Sequence, residues 1–118
     1  EAGLDELRGG QFLFRDGVLL AEEEAVKLQR YVESLAVIHD TVTSHGGTIS
    51  VNLTGLADGS GSRELNEALA EGRASVIKYS LVEAGIPEED IHLGYEIATA
   101  EEVDLKMRRV DITVTGPR

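Results

Sequence analysis

The stretch Gly55-Leu56-Ala57-Asp58-Gly59-Ser60-Gly61-Ser62 decides the fold, because it joins an alternating strand pattern to a long helical pattern. It is rich in glycine and serine and contains one acid, Asp58. Glycine lets a backbone approach a ligand closely, and the start of a helix leaves N–H donors free to meet an anion. The same composition is typical of an ordinary strand-to-helix turn, so the residues around it must distinguish the two interpretations.

The segments on either side of this stretch predict a strand and a helix. Residues 48–54 alternate, with Ile49, Val51 and Leu53 on one side, which predicts a strand with one buried and one polar face. Ser62 is the expected N-cap of a helix to about residue 84, which residues 85–87 end. The predicted apolar stripe of this helix comprises Leu65, Leu69, Val76 and Ser80, broadened by Ala74, Ile77 and Leu81.

The N-terminal part predicts a strand followed by a first long helix. Residues 1–10 are expected to be a lead-in segment, and residues 11–118 a single domain. Residues 11–14 form a predicted strand that a turn at 15–17 closes, and a helix should span about 20–45, with acids in its first turn and a glycine pair after it. Its predicted buried stripe is Ala25, Leu28, Val32, Leu35, His39 and Val42.

Two more strands are predicted near the C-terminus. Residues 91–97 and 110–115 both alternate, and an acidic connection at 100–106, long enough for one helical turn, joins them. Because each strand alternates, helices should cover only one face of the sheet. The predicted fold class is α/β (α+β), a two-layer sandwich with a mixed sheet of about four strands and two main helices on one face.

The charge balance excludes some partners. The 118 residues carry a formal net charge of −11, which disfavours a nucleic-acid duplex or charge-driven docking on an anionic membrane. The chain has no cysteine, so disulfide and thiol chemistry are excluded. It starts at Glu1 and is expected to be a fragment or a processed chain without direct membrane insertion. No cofactor, metal or catalytic residue is predicted.

Three polar residues are spaced so that they can converge near the loop. Asn66 and Arg73 are seven residues apart on the predicted helix, hence on one side of it, and Asp58 lies in the loop that feeds it. A carboxylate and a guanidinium suit a zwitterionic ligand, since the acid holds an ammonium and the arginine a carboxylate. An internal Asp–Arg pair that braces the loop is the alternative.

The chain resembles the OmpA C-terminal-like domain of the OmpA, MotB and Pal type from about Phe12 to Val114. Further landmarks are Gly85-Ile86 after the helix, Gly94-Tyr95 on the third strand and Arg108-Arg109-Val110 before the last strand. The spacing that carries the resemblance is formed by Asp58, Gly61, Asn66, Leu69, Arg73 and Ala74.

The resemblance implies a non-catalytic domain that binds the diaminopimelate of a peptidoglycan stem peptide, in the periplasm or at the outer membrane of a Gram-negative envelope. It makes Asp58 and Arg73 the main ligand contacts, with Asn66 supporting the loop or touching the ligand and Arg108 beside the pocket. The binding loop is divergent: Leu56-Ala57 stands where the family usually has His-Thr, and Met107 where it has Asn. Ala57, at the threonine position, completes the expected ligand-binding set.

Other interpretations of the same chain stay open. Because Leu56, Ala57 and Met107 are apolar, the fold could serve instead as a protein-interaction or assembly domain, as a homodimer or with other envelope proteins. An enzyme that uses the loop for phosphate lacks the Gly-Lys-Ser/Thr ending of a P-loop, and a calcium loop lacks its inner acids. His39 on the apolar stripe is expected to be a packed core or rim residue.

Overall fold

The computed structural model of the chain describes residues 10–16, 18–59, 61–97 and 107–116. The predicted lead-in up to residue 9, the turn residue Gly17 and the connection 100–106 lie outside them. The described residues form β1 (Gly10–Asp16), β2 (Leu19–Leu20), α1 (Glu22–Ser44), β3 (Ser50–Ala57), α2 (Arg63–Glu83), a 3₁₀ turn (Glu88–Asp90), β4 (Ile91–Ile97) and β5 (Arg109–Thr115).

The strands form one mixed sheet in the order β2-β1-β5-β3-β4. Only β3 and β4 run parallel, as a β3–α2–β4 unit, and the other pairs are antiparallel. The two-layer α/β prediction and its four strands are confirmed. The short β2 is an addition: Leu20 was expected to begin a helix, yet it pairs with Phe14, and α1 begins two residues later.

Helix α1 buries most of the predicted stripe, which comprises Leu28, Val32, Leu35 and His39. Ala25 is exposed, so that part of the prediction is wrong. The helix ends at the expected glycine pair: Gly46 has φ 82°, and the Gly47 N–H donates to the Val42 carbonyl at 2.9 Å. This is the Schellman geometry that glycine favours.

Helix α2 begins as predicted, and Ala74, Ile77 and Leu81 are buried as expected, but its first turns bury a different side. Ser62 is the N-cap, and its hydroxyl accepts a hydrogen bond from the Leu65 N–H at 3.1 Å. Leu65 itself is 55% exposed, although it was expected in the core. One residue along a helix is a rotation of about 100°, so a stripe that starts at Asn66 lies well away from one that starts at Leu65. The buried residues are Asn66, Ala70, Arg73, Ala74, Ile77 and Leu81.

Gly55 lets α2 lie close against β3. A Cβ at Gly55 would come within 1.8 Å of the Ala70 carbonyl oxygen, so no other residue fits there. Gly55, Leu56 and Ala57 belong to β3 and not to the loop, which corrects the sequence interpretation. The glycine that was expected to bring the backbone close to a ligand brings it close to a helix, and this contact fixes where Arg73 lies relative to the end of β3.

The core is continuous between the sheet and both helices and includes Phe12, Phe14, Val110, Ile112 and Val114 from the strands. Strand β4 contributes little to it. Ile91 is buried, but Leu93 is 42% and Tyr95 is 41% exposed, because β4 is the outermost strand on its side of the sheet. The alternating pattern of β4 was predicted. Such a pattern usually means that one face of the strand is buried, but Leu93 and Tyr95 in the middle of β4 are exposed.

Candidate functional site

The loop after β3 starts at Asp58 and reaches α2 through Gly61 and Ser62. Gly61 has φ 82°, a left-handed conformation that glycine adopts at no steric cost. A Cβ at Gly61 would lie 3.9 Å from the Asn66 Oδ1, so Asn66 lies directly beneath the loop. Asn66 is only 4% exposed. Its position fits the loop-supporting role that the resemblance implied for it.

Arg73 lies beneath the end of β3. It is 2% exposed, and its Nη1 donates a hydrogen bond to the Leu56 carbonyl at 2.8 Å. Its guanidinium carbon lies 5.9 Å from the centre of the Phe14 ring, within the range of a cation–π contact. Sequence spacing could not predict that Phe14 lies near Arg73, because Phe14 belongs to β1, two strands away from β3 in the sheet. The contact arises only from the sheet order.

Asp58 and Arg108 form the outer part of the same cluster. The Asp58 carboxylate is 5% exposed as a residue, and its Oδ2 lies 3.5 Å from the Arg108 Nε. The Arg108 side chain keeps a quarter of its surface exposed. The separation is longer than the 2.7–2.9 Å typical of a charge-assisted hydrogen bond, so this ion pair is loose. Arg108 lies just before β5, which pairs with β3.

The structure therefore brings the predicted residues to one end of β3. Asp58, Arg73 and Arg108 are connected through the two residues that end the strand, Leu56 and Ala57. Ala57 is 2% exposed and lies within the strand. Two guanidinium groups accompany one carboxylate here, although the chain as a whole is strongly acidic. We call Asp58, Asn66, Arg73 and Arg108 the β3-end cluster.

The described residues contain no group of three His, Asp, Glu or Cys side chains that could hold a metal ion. The hydroxyl of Ser62 serves as a helix cap. His39 is 7% exposed, and its Nε2 lies 2.8 Å from the Asp90 Oδ2. It is the packed residue that the apolar stripe predicted.

Known structures resemble this fold along almost the whole chain. An OmpA-like domain of FopA1 from Francisella tularensis superimposes with a TM-score of 0.65 at 16% identity, over 93% of this chain and 73% of that one. The peptidoglycan-associated lipoprotein of Burkholderia pseudomallei superimposes with a TM-score of 0.65 at 20% identity, over 92% of this chain and 90% of that one. The periplasmic domain of Helicobacter pylori MotB superimposes with a TM-score of 0.59 at 17% identity, over 87% of this chain and 69% of that one.

This chain has an OmpA-like fold. At 16–20% identity the likeness is one of fold. No model of a known protein family matches the sequence, and no curated protein sequence matches it either. Within the described residues, no helix combines the length and apolar character needed to cross a membrane.

Proposed function

We propose that the β3-end cluster binds the zwitterionic diaminopimelate end of a peptidoglycan stem peptide, without catalysis. The observation that carries the proposal is the placement of Asp58, Arg73 and Arg108 at one end of β3 in an OmpA-like fold. A diaminopimelate side chain ends in an ammonium and a carboxylate on one carbon. A site with one acid and two arginines offers a partner to each charge.

The loose ion pair provides a route for ligand entry. An incoming ammonium competes with Arg108 for the Asp58 carboxylate, which is already separated from the Arg108 Nε by 3.5 Å. Arg108 is then free to turn its guanidinium toward the ligand carboxylate, because part of its side chain is exposed to solvent. Arg73 is fully buried and supplies positive potential from beneath, while its hydrogen bond to Leu56 holds the strand end in place.

The proposed setting is the periplasm of a Gram-negative bacterium, with the domain anchoring its parent protein to the cell wall. Two of the similar structures support it by their names: a peptidoglycan-associated lipoprotein and a periplasmic domain of MotB. The acidic surface agrees with a small ligand, since charge is screened over about 8 Å at physiological salt and nearby arginines then outweigh distant carboxylates.

Calorimetric titration with a diaminopimelate-containing muropeptide tests this proposal. We expect the unmodified chain to bind, and Asp58→Asn and Arg108→Ala each to weaken binding about tenfold to a hundredfold, the value of a hydrogen bond to a charged group. A muropeptide with lysine in place of diaminopimelate lacks one carboxylate and should bind more weakly. No heat of binding at millimolar ligand would refute the proposal.

Arg63→Ala is the matched control for the arginine variants. Arg63 lies at the start of α2, its side chain is 82% exposed, and it pairs with Glu67 on the same helix. Its removal changes the net charge as Arg108→Ala does, but outside the β3-end cluster. Unchanged affinity in Arg63→Ala would attribute the loss in Arg108→Ala to the site and not to the overall charge.

Burial of Arg73 favours a second candidate function. At 2% exposure, with one donor bonded to Leu56, Arg73 also serves as an internal brace, and apolar Leu56 and Ala57 are buried beside it. In that case the fold acts as an assembly domain, and its peptidoglycan binding is weakened or lost. Sedimentation with purified sacculi distinguishes the two functions: a binding domain sediments with them, and an assembly domain stays in solution.

A further inference from the structure

The two edges of the sheet are treated differently by the rest of the chain. Edge strands present unpaired backbone groups that can pair with another chain. On one side, the short β2 pairs only with the second half of β1, and side chains from α1 occupy outward groups of the first half: the Leu13 N–H donates to the Glu24 carboxylate at 2.8 Å, and the Lys27 ammonium donates to the Gln11 carbonyl at 2.6 Å. The edge of β1 is therefore covered by charged side chains.

The opposite edge, β4, is open among the described residues. Its backbone pairs with β3 on one side, and no described side chain caps it on the other. Between α2 and β4 runs a groove of about 320 Å³, lined by Glu71, Ala74, Ser75, Leu93, Gly94 and Tyr95. Further along the same side of α2, Tyr79 is 66% and Val82 is 40% exposed. Apolar surface and free backbone thus lie side by side.

We propose that two copies of this chain pair antiparallel through β4, with the two-fold axis at Gly94. An isologous contact requires a surface that complements itself under a two-fold rotation. The sequence of β4 meets this condition around its central residue. The facing pairs are Ile91 with Ile97, His92 with Glu96, and Leu93 with Tyr95, while Gly94 faces its own copy.

Two of the facing pairs are of a kind that stabilises antiparallel strands. Leu93 opposite Tyr95 is an aliphatic–aromatic pair on the groove side, where both side chains are now exposed. His92 opposite Glu96 joins a hydrogen-bonding imidazole to a carboxylate on the other face. The same operation places the two α2 helices antiparallel on one side of the joined sheets, where Tyr79 and Val82 add apolar surface.

The charges disfavour one neighbouring register. An axis at Leu93 would put Asp90 opposite Glu96, and like charges directly opposite each other are destabilising. The net charge of −11 opposes association at long range, but salt screens this repulsion beyond about 8 Å while leaving the paired side chains in contact. This pairing needs no ligand at the β3-end cluster and is independent of the proposed function.

Gly94 offers a substitution that changes the edge without changing the monomer. Nothing lies within 4 Å of a Cβ placed there, so a side chain has room. In Gly94→Lys the two new ammonium groups face each other across the axis. Sedimentation velocity at physiological salt should show concentration-dependent dimers for the unmodified chain, with association at least about tenfold weaker in Gly94→Lys.

Thr113→Lys is the matched control, because it adds the same charge at an exposed position of the interior strand β5. It should dimerise like the unmodified chain. A chain that stays monomeric at every concentration, or dimers that persist in Gly94→Lys, would overturn the proposal. Retained muropeptide binding by that monomer would show that the proposed function stands without the dimer.

Two further experiments test the register in which β4 pairs with its copy. His92→Glu should weaken the dimer, and His92→Glu combined with Glu96→Lys should restore it, because the opposed charges are complementary again. The chain has no cysteine, so Gly94→Cys introduces a single thiol, which should form an intermolecular disulfide on oxidation, whereas Thr113→Cys should not. Failure of the double variant to recover, or equal cross-linking of both cysteine variants, would contradict pairing at Gly94.

Discussion

The two ends of the β3–β4 unit each place a basic side chain beside a carboxylate, but the two contacts differ in length. At the end where β4 begins, His39 of α1 meets Asp90 at 2.8 Å, and Lys78 of α2 holds Glu88 of the same 3₁₀ turn at 2.9 Å. At the end where β3 stops, Arg108 and Asp58 are 3.5 Å apart. The first end is held by short hydrogen bonds, and the second has a longer ion pair, for which we propose exchange with a ligand.

A buried basic side chain alone therefore does not identify a site. His39 and Arg73 are similarly buried and both lie on apolar stripes. Near Arg73, the partly exposed Arg108 lies 3.5 Å from Asp58, whereas His39 bonds directly to Asp90 at 2.8 Å. Substitutions at each end separately test this difference.

The largest effect is expected when α2 is moved away from the end of β3. Gly55→Val places a side chain against the Ala70 carbonyl, where a Cβ would lie at 1.8 Å. We expect a loss of about 3 kcal/mol or more in the free energy of unfolding, together with loss of ligand binding, because Arg73 is displaced. Urea denaturation measures the first quantity.

Gly94→Val is the control for that substitution. A Cβ at Gly94 has nothing within 4 Å, so the change in unfolding free energy should stay below about 1 kcal/mol. If both valine variants were equally stable, the close approach of α2 to β3 would not determine the geometry of the β3-end cluster.

Removing the buried guanidinium should have the next largest effect. Arg73→Met keeps most of the side-chain volume but takes away the donor that meets the Leu56 carbonyl. We expect a loss of about 1–3 kcal/mol in stability and no measurable muropeptide binding. Arg63→Met, at an exposed position on the same helix, should leave both quantities unchanged. Full binding by a folded Arg73→Met variant would contradict the role given to Arg73.

A substitution at the end where β4 begins should lower stability and leave ligand binding unchanged. His39→Ala removes the hydrogen bond to Asp90 and leaves a small cavity, with an expected cost of about 1–3 kcal/mol. Muropeptide affinity should be unchanged, as measured by calorimetry on the folded variant. His45→Ala, at an exposed histidine that bonds only within the end of α1, should change neither. A loss of affinity in His39→Ala would mean that the two ends are not independent.

The smallest expected effect is a pH dependence at the end where β4 begins. The Lys78 ammonium, by its hydrogen bond and its charge, lowers the pKa of the Glu88 carboxyl. A carboxyl whose pKa is lowered in the folded state adds stability above its unfolded pKa and loses it as the pH falls through the folded value. An NMR titration of Glu88 should show its pKa rise toward the ordinary value in Lys78→Ala. An identical titration curve would contradict the pairing.

Strand alternation and helix caps were sufficient to predict most of the fold. The positions of β1, β3, β4 and β5, the Ser62 cap and both glycine-terminated helix ends follow from local patterns. The buried side of α2 was predicted only in part. Ala74, Ile77 and Leu81 are buried as expected, but apolar periodicity selected the exposed Leu65 and could not select Asn66 and Arg73. The two-residue β2 is too short to show any period.

Spacing and resemblance pointed to the residues of the β3-end cluster, but they did not predict how deeply Arg73 is buried. Nothing local indicates that Arg73 is enclosed beneath Leu56, because the enclosure depends on Phe14 from a distant strand and on the close approach at Gly55. Likewise, the exposure of Leu93 and Tyr95 follows from the sheet order, since an outer strand lacks a neighbour whatever its sequence pattern.

A single NMR titration tests the central claim that one end binds ligand and the other only braces the fold. Addition of a diaminopimelate-containing muropeptide should shift the Arg108 Nε–H signal and the amides of Leu56, Ala57 and Asp58, while the His39 and Asp90 signals stay in place. Shifts confined to the His39 end, or no shift anywhere at millimolar ligand, would contradict it.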